Sequence, residues 1–470
     1  MSLVIEKFPY LDSAALFCEV ANTPWALFLD SGIVNAKRPV SKHADFDVLA
    51  IDPCVTLVTE GETTTIQSSS GKECSNNDPM QLLYDKVRAV LPQLCAEDYS
   101  GCPYLPGALG YFSYDLARRF ETLEKISNDD EQLPEMAMGI YPTLLVVDHR
   151  SKLSKLICCQ NNQHAQRTAV LWRDTIAAHL CNQKRHVTSN GKVAPIAKSI
   201  HENMGHQDYQ RRFQSVRDYT IAGDCYQVNL AKRFCVNTNE DAWQIYQVLR
   251  ESSPAPYAAY LNLPFAKVLS NSPESFIQCR KHRVTTSPIK GTAARDHVDA
   301  ENDRKAADQL ENSVKDRAEN LMIVDLMRND LGRCCVLGSI KVPSLFALHS
   351  FANVHHLIST ITGTLKPELH ALDLLRSCFP GGSITGAPKI RAMQIIEQLE
   401  PHRRGLYCGS IAYIGCDGSL ETNIAIRTIV IKDAVARFSA GGGLVIDSQL
   451  DEEYQEIVDK AKMLKQALCG

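Results

Sequence analysis

Trp25-Ala26-Leu27-Phe28-Leu29-Asp30-Ser31-Gly32 reads as an apolar strand running into a turn. Two short runs follow it, Asp47-Val48-Leu49-Ala50-Ile51 and Cys54-Val55-Thr56-Leu57-Val58, both of the kind that suits a strand. Residues 68–78 are polar, with Ser, Gly and Asn, and predict an exposed loop. Leu82, Leu83, Val87, Val90, Leu91 and Leu94 recur at helical spacing, so 78–94 predicts a helix. Gly107-Ala108-Leu109-Gly110-Tyr111-Phe112-Ser113-Tyr114 again reads as a tightly packed strand, and Ser127-Asn128-Asp129-Asp130-Glu131 as a solvated acidic loop. A helix is predicted over 164–181, and another over 208–222 closed by Gly223. Tyr226-Gln227-Val228-Asn229-Leu230-Ala231 then alternates polar and apolar residues, as a strand does. Helices follow over 299–331, broken near Asn312 and stopped at Gly332, over 387–399 with Pro388 in its first turn, and over 451–468. The strands are short and follow no regular βαβ rhythm, which places the chain in the α+β class.

The chain has 470 residues, 44% of them hydrophobic, enough for a large core and for two or three domains of ordinary size. Its text changes character along the way. Residues 1–150 form an N-terminal region, 151–205 a connecting segment, and 206–466 a region dense in motifs. The net charge is −4, and no basic cluster carries interleaved aromatics, so no nucleic-acid partner is expected. The N-terminus has no apolar core of signal-peptide length, and no run approaches the ~20 apolar residues of a membrane helix. The 17 cysteines are scattered, two pairs are adjacent (Cys158-Cys159 and Cys334-Cys335), and no Cys-x-x-Cys occurs. Reduced thiols in a soluble, cytoplasmic protein are the expectation.

Pro288-Ile289-Lys290-Gly291-Thr292 holds one lysine at what reads as a sharp chain reversal. Three roles are open to it: a nucleophile, an anion ligand, or a turn residue. Asp316 and Glu319 stand three apart on one predicted helix, and Glu453 and Glu456 three apart on another. Each pair shares a helix face, where like charges repel unless a cation sits between them. Oxygen ligands without an EF-hand pattern suit Mg²⁺; the competing reading is two solvated faces. The run Leu321-Met322-Ile323-Val324-Asp325-Leu326-Met327 is apolar nearly all round and predicts a buried helix, in which carboxylates need partners.

Two glycine-rich stretches, Phe379-Pro380-Gly381-Gly382-Ser383-Ile384-Thr385-Gly386-Ala387-Pro388-Lys389 and Ser439-Ala440-Gly441-Gly442-Gly443, read either as anion cradles or as flexible turns. With Arg427 they suggest a ligand bearing more than one carboxylate. Glu274, in Ser272-Pro273-Glu274, is a candidate general acid or a turn glutamate. Of His355-His356, one is expected to face inward.

In this order, the lysine, acidic and glycine-rich motifs resemble those of the chorismate-utilising enzymes of the anthranilate synthase component I family. The resemblance covers most of the chain and is strongest over 206–465. It implies a large layered α+β fold, with antiparallel sheets in the core, helices outside, and interleaved N- and C-terminal regions. Lys290 stands where anthranilate-forming members typically carry alanine, which resembles the branch that aminates chorismate. There the resemblance implies Mg²⁺ on the ring carboxylate, attack of Lys290 on ring C2, loss of the C4 hydroxyl helped by Glu274, and ammonia adding at C4 to give 4-amino-4-deoxychorismate. Glu319 and Glu456 match the main metal-ligand positions, with Asp316 and Glu453 as companions. Arg427, Tyr413, Gly442 and Gly443 match groups that hold substrate carboxylates, and Gly386, Lys389, Thr292 and His356 belong to the same pocket. Gln227 stands where isochorismate-forming relatives carry a water-activating lysine. The resemblance further implies a remote tryptophan pocket at Ser31, His43, Ala44, Asp45, Phe46, Pro256, Tyr257 and Ala258, although Asp45 replaces an arginine found in a relative. No amidotransferase pattern is present, so ammonia is expected from solution or from a separate glutamine amidotransferase subunit, the partner that the resemblance implies. The alternatives are an anthranilate-forming enzyme of the same family and a non-catalytic chorismate-binding protein.

Overall fold

The computed structural model describes residues 2–33, 45–91, 102–182, 199–351 and 354–469. His43 and Ala44 lie outside the described residues, as do 92–94 at the end of the first predicted long helix, which is seen as Pro79–Val90. The described strands build two twelve-stranded sheets, and every pairing within them is antiparallel.

Neither sheet respects the change of character near residue 200. In the first, Ala26–Asp30 pairs with Tyr257–Leu263, Leu29 opposite Ala259, joining five N-terminal strands to a C-terminal set. In the second, Gly107–Phe112 pairs with Ser410–Gly415, Leu109 opposite Tyr413. The N- and C-terminal regions therefore interleave, and the α+β architecture follows from hydrogen bonding between residues hundreds of positions apart.

Side-chain alternation explains the layering. Leu27, Val48 and Ala50 from the first sheet meet Leu109, Tyr111 and Ile411 from the second in one core between the sheets. Their neighbours Phe28, Leu49 and Phe112 belong to a larger cluster that includes the helix residues Trp172, Tyr246 and Ile457. Each large side chain buried this fully stabilises the fold by roughly 1.5–3 kcal/mol. Among the described residues no helix is long and apolar enough to cross a membrane, and all described cysteines are free thiols.

The site is set by two places where the chain passes from one sheet to the other. Ala266–Ser272 lies in the first sheet and Ser275–Arg280 in the second, with Glu274 between them. Leu420–Asn423 and Thr428–Lys432 make the opposite passage, with Arg427 between them. These strands pair with one another across both passages. The backbone joins them too: Asn271 N donates to Arg427 O at 3.0 Å, and Ile424 N to Glu274 O at 3.0 Å.

Four local expectations change. Residues 68–78 are not a loop throughout: Thr63–Ser68 and Gly71–Ser75 form an exposed hairpin, because Ile66 has a core to pack on. The acidic loop is docked rather than solvated: Asp130 pairs with Arg233 at 2.7 Å, Asp129 with Arg403 at 2.9 Å, and Glu131 is buried. The helix Val314–Gly332 is buried on one side only. Ile323, Val324 and Met327 face the core while Leu321 is 46% exposed, so the apolar run overstated its burial. Both His355 and His356 are buried, since their strand Val354–Thr364 is paired on both edges and covered by helices.

Candidate active site

Lys290 does not sit at a chain reversal. It lies in the strand Ile289–Ala294, whose register with Val354–Thr364 slips between Ile289 and Thr292. This is a β-bulge, a device that re-aims a side chain. Gly291 makes it possible: its φ is +83°, and a Cβ there would stand 3.0 Å from Asp316 Oδ1. Lys290 is half-buried and opens into a cavity of about 820 Å³.

The cavity gathers most of the expected residues. Glu274, Lys290, Thr292, His356, Arg427, Gly442, Gly443, Asp316, Glu319, Glu453 and Glu456 all line it. Glu274 is only 6% exposed, and burial pushes its carboxyl up to about 7, against the opposing pull of Ser383 and Lys290. Arg427 has a φ of +49°, uncommon for a residue with a side chain. Its guanidinium makes no hydrogen bond or ion pair with any described residue, and burial lowers its pKa. An unpaired arginine in a cavity wall is a ready carboxylate ligand. His356 Nδ1 is 2.9 Å from Thr292 Oγ1, and burial together with Arg427 holds the imidazole down at about 4, so it is neutral.

The glycines of Val435–Leu444 form a strand wall rather than a turn. A Cβ at Gly442 would lie 3.0 Å from Glu453 Oε2. One at Gly443 would lie 2.8 Å from Gln227 Nε2 and 3.1 Å from Lys290 Nζ. Bare backbone is needed there to leave the cavity open. Gln227 itself is fully buried, and neither its Nε2 nor its Oε1 has a hydrogen-bond partner among the described residues.

The acidic residues arrive on two helices, Val314–Gly332 against the second sheet and Leu450–Cys469 against the first. Burial raises the carboxyls of Glu319 and Glu453, and each also feels the repulsion of a neighbouring glutamate. Glu453 accepts from Ser448 Oγ at 2.7 Å. Lysines sit among them: Lys315 is 3.7 Å from Glu453, and Lys460 is 2.6 Å from Glu456. No three acidic, histidine or cysteine side chains among the described residues close into a metal cage. Mutually repelling carboxylates that face the cavity from two helices, with Glu319 in no ion pair among the described residues, suit an ion that keeps waters or takes substrate oxygens for its remaining positions, as Mg²⁺ does. On that donor chemistry the residues fit the expected ion.

Four expected residues do not line this cavity; one is Gln227, fully buried behind Gly443. Tyr413 faces the core between the sheets, where its hydroxyl accepts from Leu105 N at 2.7 Å and donates to Leu105 O at 2.8 Å. Strand alternation sends it there, and Tyr407 lines the cavity instead. Lys389 Nζ pairs with Asp330 at 2.6 Å and donates to Cys378 O at 2.8 Å. Gly386 (φ +145°) is there for packing, because a Cβ would stand 2.1 Å from Gln227 O. Of the long glycine-rich stretch only Ser383 and Ile384 reach the cavity. The residues that sequence reasoning passed over are Ser383, Tyr407, Lys315 and Lys460. Ser383 and Lys460 had a local signal: the first lies inside the quoted motif, the second one helical turn after Glu456.

A second, smaller pocket of about 50 Å³ is lined by Ser31, Phe46, Pro256, Tyr257 and Ala258, together with Tyr104, Tyr413 and Asn423. Five of the eight expected tryptophan-pocket residues thus meet; Asp45 instead approaches Arg150 at 3.4 Å. Ser31 is anchored from behind, its N and Oγ donating to Asp47 at 2.8 and 2.6 Å. Asp47 in turn pairs with His149 at 2.8 Å, and Asp30 with the buried Arg250.

This fold and this cavity define a chorismate-binding enzyme: the chorismate binding enzyme family matches residues 41–466, and the chain belongs to it. It is 44% identical over 452 residues to aminodeoxychorismate synthase component 1 of Escherichia coli, covering 96% of this chain and 95% of that protein. It is 34% identical to anthranilate synthase component 1 of Bacillus caldotenax, over 93% and 88% of the two chains. The solved structure of anthranilate synthase component I from Streptococcus pneumoniae superposes with a TM-score of 0.76 at 29% identity, over 90% of this chain and 92% of that one.

Proposed function

We propose that this enzyme aminates chorismate to 4-amino-4-deoxychorismate, in the p-aminobenzoate branch of folate biosynthesis. The observation that carries the reading is Lys290, aimed by its bulge into a cavity that also holds the buried carboxyl of Glu274 and the unpaired Arg427. Arg427 would hold one substrate carboxylate, and the backbone wall at Gly442 and Gly443 would admit it closely. Lys290 Nζ attacks C2 of the ring, the ring double bonds shift, and the C4–oxygen bond breaks. Glu274 gives its proton to that oxygen, which leaves as water. Ammonia then adds at C4 and expels Lys290, so chorismate and ammonia give 4-amino-4-deoxychorismate and water.

Glu319 and Glu456, with Asp316 and Glu453, would hold Mg²⁺. The bound ion would supply positive charge against the second substrate carboxylate. Gln227 supports ammonia over water as the second nucleophile, because its amide is no general base. The ammonia source is a glutamine amidotransferase subunit, in keeping with relatives named as component 1. The smaller pocket would take tryptophan, and entry of the whole amino acid would require its walls to part.

The test is turnover of chorismate with ammonium and Mg²⁺. Wild type should form aminodeoxychorismate, and Lys290→Ala should lose on the order of 10³-fold or more in kcat. Normal turnover by Lys290→Ala would end the covalent reading, and anthranilate as the wild-type product would assign the chain to the other branch of the family.

A further inference from the structure

We propose that Ser383 is a positioning residue for the Glu274 carboxyl: its hydroxyl occupies Oε1 and so leaves Oε2 to carry the transferable proton. The inference rests on the reading of Glu274 as the acid. Ser383 Oγ donates to Glu274 Oε1 at 3.0 Å, and both residues line the large cavity. In a protonated carboxyl the oxygen that accepts a hydrogen bond is the carbonyl oxygen, and the other one bears the proton. A carboxyl without such a partner could carry its proton on either oxygen.

The hydroxyl can act this way only if its own backbone is fixed, and it is held on every side. The turn Gly382–Ile384 is pressed against the helix Val314–Gly332: a Cβ at Gly382 would lie 2.5 Å from Leu326 Cδ2. A Cβ at Gly381 would lie 2.9 Å from Ile424 Cδ1. Thr385 Oγ1 donates back to Gly381 O at 2.9 Å. Ile384 O accepts from Asn229 Nδ2 and from Arg404 Nη1, both at 2.9 Å. Arg404 is itself fixed by Glu400 at 2.7 Å. The glycines of this motif therefore serve close packing, and the packing serves one serine. The Glu274 end is equally fixed, since its N–H donates to Ser272 Oγ at 3.2 Å and its carbonyl accepts from Ile424 N at 3.0 Å.

The bond also changes strength during the reaction. When Oε2 releases its proton to the departing C4 oxygen, which leaves as water, the Ser383 bond becomes charge-assisted and tightens. Ser383 thereby favours the carboxylate, alongside Lys290, Lys460 and the Ile289 N–H, while burial favours the acid. Cys408 is the further titratable neighbour of this carboxyl.

The test compares Ser383→Ala, Ser383→Thr and Glu274→Gln in the complete enzyme with chorismate, ammonium and Mg²⁺. Ser383→Ala should lower kcat about tenfold with KM changed by less than about twofold. The alkaline limb of its pH–rate profile should move to higher pH, because a group that favours the carboxylate has gone. Ser383→Thr should restore both. A Ser383→Ala enzyme with an unmoved limb and unchanged kcat overturns the inference, provided Glu274→Gln is inactive. A fall in kcat with an unmoved limb and no rescue by Thr also overturns it, leaving Ser383 a packing residue. If Glu274→Gln keeps its turnover, the acid reading itself has failed, whatever Ser383 does. Calorimetric binding of chorismate confirms that each variant is folded.

Discussion

The two pockets differ in how their charges are spent. On the wall of the large cavity Lys290, Arg427 and Glu319 make no ion pair with any described residue, while Glu453 and Glu456 meet Lys315 and Lys460. Around the small one the buried carboxyl groups have partners, Asp30 the guanidinium of Arg250 and Asp47 the ring of His149. A buried charge without a partner is costly, so a fold keeps it only where a ligand completes it. Paired charges behind a pocket hold its walls in place instead. The first pocket therefore reads as a site for an anionic reactant, and the second as a shaped seat on a scaffold.

The sharpest way to break this contrast is to delete one unpaired and one paired charge. Arg427→Ala should raise the chorismate KM by roughly 10²-fold while the melting temperature stays within a few degrees, since no described residue loses a side-chain bond. Steady-state kinetics and a thermal melt check both halves. Asp30→Ala should do the reverse. It leaves Arg250 buried without its carboxylate, which costs about 3–5 kcal/mol of stability in a urea titration, with the chorismate KM little changed. If Asp30→Ala proved as stable as wild type, the pairing behind the small pocket would not be holding it.

The smallest effect concerns Glu274, an acid kept inside the first pocket. Its folded pKa, about 7, lies above the ordinary value of 4.5, so folding prefers the protonated form. The stability from that preference is present below about pH 4.5 and is lost as pH rises through 7. Glu274→Gln should accordingly match wild type near pH 4 and exceed it by roughly 1–3 kcal/mol near pH 8, while losing activity. Urea titrations at the two pH values decide it, and equal differences at both would show that the carboxyl is not held as an acid. His356, held down at about 4 by burial and Arg427, is neutral near pH 7–8 and should contribute no limb of its own to the pH profile there.

Much of this was legible in the chain. The helix break near Asn312, the stop at Gly332 and the terminal helix are seen as Ala300–Glu311, Val314–Gly332 and Leu450–Cys469. Local spacing and capping groups suffice for such elements: Asp299 and Ser313 cap their helices through side-chain oxygens. The motif residues could be picked out because lysine beside glycine, acids three apart and runs of glycine are chemically conspicuous. Their roles were less legible. Lys389 and Tyr413 carry the right chemistry but point elsewhere, the one toward Asp330 and the other toward Leu105. The acidic loop at 127–131 looked solvated because Arg233 and Arg403, which receive it, lie far along the chain.

The sequence by itself thus pointed to the α+β class through its lack of a βαβ rhythm; it determined most of the helices and singled out the candidate reactive groups, because these depend on neighbours within a turn or two. Only the tertiary structure decided that Lys290 sits on a bulge, that Gly381, Gly382 and Gly386 are packing surfaces, and that Glu274 and Arg427 line one cavity. Those outcomes depend on strand register and on two passages between sheets, in which residues about 150 positions apart meet. Local sequence cannot encode which distant edge a strand will find.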